Sequence, residues 1–279
     1  MARGGPGVAW HAREIVDRSA RQSPARLALG VFALVIATVT VFLSAPWATA
    51  SGHRAPFVDA LFTAASASTV TGLVVVPTGE YWSAWGLVVI LVAIQIGGLG
   101  VMTLASLLGM AVSRRIGLTQ RLLVSSETKE TRLGEVGSLI RTVIVTSVVL
   151  ELVIAAVLFP RFLMFDENVG EAAWHAIFYA ISSFNNAGFV PTPYGLAPFV
   201  SDWWVLMPII IGVFIGSLGF PVILNVARHL REPRRWSLHS KLTVTTSVAL
   251  VVAGSILVAA FEWTNPATFK PLGPSATAL

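Results

Sequence analysis

The sequence predicts an all-α polytopic membrane protein, and three observations carry that prediction. The chain of 279 residues is 55% hydrophobic and only 12% charged, with a mean hydropathy of +0.76. A soluble globular domain carries about 25% charged residues. Five stretches are apolar over the roughly 20 residues that a helix needs to cross a bilayer. Between them lie two apolar segments, Pro56–Ser68 and Glu171–Phe184, that are too short to cross and return, and each runs into a polar string containing glycine.

The elements follow in order. Residues 1–26 hold Arg3, Arg13, Arg18, Arg21 and Arg26 beside Glu14 and Asp17. With no apolar core leading to a small-residue cleavage site, they read as a cytoplasmic leader and not a signal peptide. Leu27–Pro46 is the first predicted span, Pro56–Ser68 a re-entrant half-helix and Trp82–Val112 the second span, so that residues 27–112 form one helix–pore–helix unit. A charged connection at 113–138 follows. Leu139–Phe162, the half-helix Glu171–Phe184 and the span Trp203–Val226 make a second unit over 139–230. Residues 231–279 hold one further span, Leu242–Trp263, and a tail.

The two units are written in similar residues. Ala60, Phe62, Ala64, Ser66 and Gly72 recur without a gap, 116 positions later, as Ala176, Phe178, Ala180, Ser182 and Gly188. Ile96-Gly97-Gly98-Leu99-Gly100 returns 119 positions later as Ile215-Gly216-Ser217-Leu218-Gly219. Small residues let membrane helices approach closely, so packing is the expected role of these runs, with a kink as a lesser addition. A phosphate loop is excluded, since no Lys-Ser/Thr pair follows either run.

Charge sets the expected orientation. Sixteen of the nineteen Lys and Arg residues lie in the leader, in Arg114–Arg141 or in Arg228–Lys241. The positive-inside rule makes these regions cytoplasmic and brings both half-helices in from outside. The net charge of +5 is thereby an orientation signal, and no nucleic-acid partner is expected. Trp82, Trp85, Trp203, Trp204 and Trp263 fall near outer span ends, where interfacial aromatics belong. The absence of cysteine excludes disulfides, thiolate metal sites and cysteine nucleophiles.

Irregular backbone at membrane depth is tolerated only when it is buried in protein or lines a watery path. Two such segments are the material of an ion pore. A filter that replaces an ion's hydration shell with carbonyl oxygens needs an extended strand, a glycine where other residues reach the required dihedrals poorly, and bulky neighbours packed outward. Val70-Thr71-Gly72-Leu73 and Asn186-Ala187-Gly188-Phe189 meet these demands. Each half-helix also aims the negative end of its dipole at the membrane centre, which favours a cation there. Read singly, either string would be an ordinary loop with a helix-ending glycine; the matched pair favours the pore.

These strings, together with Ser68-Thr69, Ser183-Phe184-Asn185 and both Ile-Gly-x-Leu-Gly runs, resemble the Trk/Ktr/HKT superfamily of potassium transporters, and most closely its prokaryotic membrane subunits. The resemblance runs from about Leu27 to Pro271. It implies units of the potassium-channel type arranged around one central pore, with Gly72 and Gly188 as the main selectivity determinants. It further implies a multi-pass protein of the plasma membrane with potassium as the transported ion and no cofactor, a homodimer in contact with lipid, and a nucleotide-binding regulatory subunit on the cytoplasmic face. The family has four units where this chain has two and the first helix of a third, so the chain is expected to be truncated. Two strands alone leave the carbonyl cage open at its sides. The expected function is potassium or other monovalent-cation transport; the alternative is a non-conducting fragment that acts only as an assembly partner.

Other residues carry less. Glu151 lies mid-span, where an ionisable group costs about 2.5–3.5 kcal/mol; it is either a cation-attracting or structural carboxylate facing the protein interior, or one that pairs with a polar neighbour or lies nearer the surface. Gln95 is expected to bond across helices. Asp59, Glu80, Glu171 and Asp202 belong to the outer mouth, and Arg228, Arg231, Arg234 and Arg235 to the anionic inner leaflet. His53, His175, His229 and His239 show no metal-ligand spacing. His175 lacks a matched serine motif, which excludes an intramembrane hydrolase, and no enzyme is expected.

Overall fold

A computed structural model describes residues 24–113, 134–166 and 168–265. Most of the leader, most of the charged connection and the tail lie outside the described residues. What remains is helical, and the one β-bridge among the described residues pairs Thr49 with Trp82. Helix α1 spans Pro24–Leu43, α2 Phe57–Ser68, α3 Thr78–Tyr81 and α4 Ala84–Ser113. Helix α5 spans Gly134–Phe162, α6 Val169–Phe184, α7 Trp203–Ser217, α8 Phe220–Arg228 and α9 Leu238–Glu262.

Capping residues explain several starts. The Asn168 side chain accepts from Glu171 N at 2.9 Å and opens α6. Asp202 accepts from Trp204 N and Val205 N at 3.0 and 3.2 Å and opens α7. Ser237 accepts from Ser240 N at 3.1 Å and opens α9. Each side chain satisfies an amide that the first turn of a helix leaves without a partner. Pro160 and Pro208 sit inside α5 and α7, where neighbouring helices make such breakers tolerable in a membrane protein.

Among the described residues, three helices, drawn from α4, α5 and α9, are long and apolar enough to cross a membrane. The sequence predicted a continuous fourth span over Trp203–Val226, and this is corrected. The chain breaks after Ser217 and α8 leaves α7 at 105°, because Gly219 adopts φ +79°, outside the range of helical backbone. Counting the bent pair as one span gives four. Helix α1 contributes the apolar stretch Leu29–Leu43 among its described side chains, within the expected first span.

Two packed clusters organise the fold. In one, α1, α2 and α4 enclose Leu43, Ala60, Ala64, Ile90 and Ile94. In the other, α5, α6 and α7 enclose Leu158, Phe162, Tyr179, Phe184 and Val205. Phe162 lies at the centre of the second, stacked on Tyr179 at 5.4 Å and edge-on to Phe199 at 5.6 Å. The clusters interlock, since Phe178, Ala187 and Phe189 from the second half pack into the first. Trp82 corrects one expectation: it is 2% exposed inside the first cluster, not interfacial, whereas Trp85 at 68% and Trp204 at 57% face outward.

Candidate functional site: the paired glycine strands

The two strings after the half-helices take the same backbone path. Val70 and Asn186 have φ of +55° and +59°, and Gly72 and Gly188 have φ of +81° and +70°. The left-handed region is uncommon for ordinary residues and a true outlier for a β-branched one such as Val70. Its recurrence at matched positions in both strings marks a conformation that the surroundings impose.

Those surroundings match as well. Thr71 N donates to Ser66 O at 2.9 Å, and Ala187 N donates to Ser182 O at 2.8 Å. The Ser66 hydroxyl donates to Leu73 O at 2.7 Å, and the Ser182 hydroxyl to Phe189 O at 2.6 Å. Each serine therefore ties the far end of its strand back to its own half-helix. Sequence reasoning counted Ser66 and Ser182 only as repeated positions; that repetition was the signal of their role.

The following helix closes in on each half-helix end through a glycine. A Cβ on Gly97 would overlap Ser68 O, and one on Gly216 would overlap Phe184 O. Ser68 and Phe184 are the final residues of α2 and α6. Packing is thus what Gly97 and Gly216 serve, while Gly219, with nothing within 4 Å of an added Cβ, marks the bend.

The strands also meet each other. A Cβ on Gly72 would lie 2.9 Å from Ala187 O and 3.6 Å from the Gly188 Cα, and one on Gly188 would lie 3.3 Å from the Gly72 Cα. Among the candidate residues, Thr71, Leu73, Asn186 and Gly188 are exposed, Val70 and Gly72 half-buried, and Ala187 and Phe189 buried. The bulky residues after the glycines diverge. Phe189 packs inward at 1% exposure, while Leu73 stands 60% exposed.

A profile of the TrkH family, described as cation transport proteins, matches residues 9–265. This chain belongs to the TrkH family. The TrkH family comprises membrane ion transporters and not enzymes. Ktr system potassium uptake protein B of Bacillus subtilis strain 168 is 38% identical over 249 residues, covering 89% of this chain and 55% of that protein. Ktr system potassium uptake protein D of the same organism is 32% identical, covering 86% of this chain and 54% of its own length. The potassium/sodium uptake protein NtpJ of Enterococcus hirae is 30% identical, covering 85% and 52%. The chain spans about half the length of the curated relatives it matches.

The remaining candidates occupy other places. Asp202 pairs with Arg161 at 2.7 Å, so its carboxylate is committed at the α5–α7 corner. His175 bonds Asp166 at 2.9 Å and packs beside Phe162 at 5.8 Å. Glu80 and Glu171 are exposed and Asp59 is half-buried. Gln95 bonds across helices to Glu151, which is 6% exposed. Asn185 completes that group, a role that only the tertiary contacts reveal.

Proposed function

We infer that the chain takes part in potassium transport across the plasma membrane, with Val70, Thr71, Gly72, Leu73, Asn186, Ala187, Gly188 and Phe189 contributing carbonyl oxygens to a selectivity filter. The observation that carries this reading is the contact of Gly72 with Gly188, both left-handed, at the ends of two half-helices. Alternating left-handed and ordinary residues turn successive carbonyls toward one side of a strand. Carbonyl dipoles so arranged replace the water shell of a monovalent cation. The C-terminal ends of α2 and α6 add a field of the same sign.

The family's relatives include potassium uptake proteins and one potassium/sodium uptake protein, which supports a monovalent cation as cargo. By charge distribution the N-terminus is cytoplasmic, and the basic 228–241 region faces the inner leaflet. A homodimer in contact with lipid and a cytoplasmic nucleotide-binding regulatory subunit complete the reading. A second reading, a non-conducting assembly partner, is favoured by the apolar surface beside the first strand, where Leu73, Val74 and Val75 are 60%, 52% and 48% exposed.

Growth of a potassium-uptake-deficient host on limiting potassium separates the two. Rescue by this chain, lost on Gly188→Ala, supports transport; membrane-inserted protein without rescue supports the assembly role.

A further inference from the structure

The geometry points to Glu151 as a positioning residue for the second strand, acting through Asn185. The Gln95 side-chain amide donates to both Glu151 carboxylate oxygens at 3.1 Å. The Asn185 amide donates to Glu151 Oε1 at 3.1 Å, to Gln95 Oε1 at 3.2 Å and to Ile181 O at 2.9 Å. Three elements meet here: α4 through Gln95, α5 through Glu151, and the residue that leads from α6 into the strand.

A carboxylate accepts and does not donate, so two amide donors suit it without a cation. Gly98, three positions after Gln95, lies against the Asn185 side chain so closely that a Cβ would overlap it. Gly97 meanwhile seats on Ser68 O. The short stretch Gln95–Gly98 therefore touches the ends of both half-helices, and the Glu151 hydrogen bonds lock it to the second. At the matched place in the first strand, Thr69 bonds only within its own segment among the contacts described, to Ala65 O at 2.8 Å and to Thr71 at 2.7 Å. The next residue after Asn185 is the left-handed Asn186, so a rotation of Asn185 moves the filter strand directly.

A glutamine at 151 keeps this arrangement. Its amide can exchange paired hydrogen bonds with the Gln95 amide while its oxygen still accepts from Asn185. A leucine keeps the volume approximately and offers no acceptor, so the half-buried Gln95 amide loses both of its bonds and the Asn185 amide keeps only Gln95 Oε1 and Ile181 O.

Hydrogen–deuterium exchange of the full 279-residue chain in lipid nanodiscs tests this. The amides of Asn185, Asn186 and Ala187 are bonded to Ile181, Ser183 and Ser182 carbonyls, and those of Thr69, Val70 and Thr71 to Ala65, Ala67 and Ser66 carbonyls. The second set is an internal control. Glu151→Leu is expected to speed exchange at 185–187 by about tenfold or more, the loss of hydrogen bonds to a charged group, and to leave 69–71 near wild type. Glu151→Gln is expected to restore wild-type exchange.

If Glu151→Leu does not assemble, Asn185→Ala cuts the same link from the strand side and leaves Gln95 bonded to Glu151; faster exchange at 186 and 187 is again expected. Unchanged exchange in the strand, equal acceleration in both strands, or a Glu151→Gln protein that behaves like Glu151→Leu would overturn the assignment. Strand position bears on selectivity only if the strand lines an ion path, as proposed above. Exchange is read without ion flux, so a failure of transport and a failure of positioning are separate results.

Discussion

Val70 and Asn186 stand at equivalent corners of the two strands, yet only one suits its backbone. Asparagine enters the left-handed region with modest penalty, whereas a β-branched side chain does so under strain. The strain at Val70 persists because its neighbours are held, Thr71 N by Ser66 O and Leu73 O by the Ser66 hydroxyl. Gly72 has no such latitude. Alanine there would adopt φ +81° with its Cβ 2.9 Å from Ala187 O, combining a left-handed penalty of about 1–2 kcal/mol with a backbone collision. On the proposed filter reading, Gly72→Ala is expected to abolish discrimination between potassium and sodium in a growth assay, with membrane insertion unchanged. Ser182→Ala removes the 2.6 Å bond to Phe189 O and is expected to cost about 0.5–1.5 kcal/mol, read as a lower melting temperature in detergent. An unchanged melting temperature would show that the hydroxyl does not brace the strand.

At the scale of elements, glycines play two opposite parts in two similar runs. In α4, Gly97 and Gly98 stay helical and let the helix seat against Ser68 O and Asn185. In the second run Gly216 does the same against Phe184 O, and Gly219 ends the helix. Gly97→Leu should therefore drive α4 from α2, and the measurable result is loss of monodisperse protein on size-exclusion chromatography. Gly219→Ala meets no atom within 4 Å, so only its backbone resists. That preference favours helical φ at 219 and straightens the 105° bend between α7 and α8. Spin labels placed at 204 and 228 should then move apart in pulsed-dipolar spectra; an unaltered distance would mean that tertiary contacts hold the bend.

Across the whole molecule, the distribution of apolar exposure separates protein core from lipid. Lipid tails are as apolar as leucine, so burial in water is not what holds these helices together, and close packing with hydrogen bonds does that work. Along helix α9 only Ser240, in its first turn, is buried, and Leu250, Ile256, Leu257 and Phe261 are 57–79% exposed. Such a helix is solvated by lipid or by further protein. The tryptophans offer a test of depth and burial together. In single-tryptophan variants reconstituted with shallowly brominated lipid, Trp85 and Trp204 should be quenched, while Trp82, 2% exposed in the first cluster, should not. Strong quenching at Trp82 would contradict the packing of α1, α2 and α4.

Much of this was legible in the residues themselves. Hydropathy settles membrane class and helix content because a bilayer admits few backbone solutions, and the repeated strings point to the short helices α2 and α6 and to the left-handed glycine after each. Caps such as Asn168 and Asp202 set helix starts through local amide chemistry alone. What needed the tertiary structure were properties that depend on partners distant in the chain. Hydropathy rates Trp203–Val226 as one span because it ignores the backbone angle at Gly219, and it places Trp82 at an interface because it ignores what packs around it. Likewise, Gln95 and Glu151 stand out in the sequence as polar residues inside spans, but that they pair with each other and with Asn185 shows only once folding brings the three within 3.2 Å. Local propensity is written in neighbouring residues; hydrogen bonds and close packing between helices exist only once the chain has closed on itself.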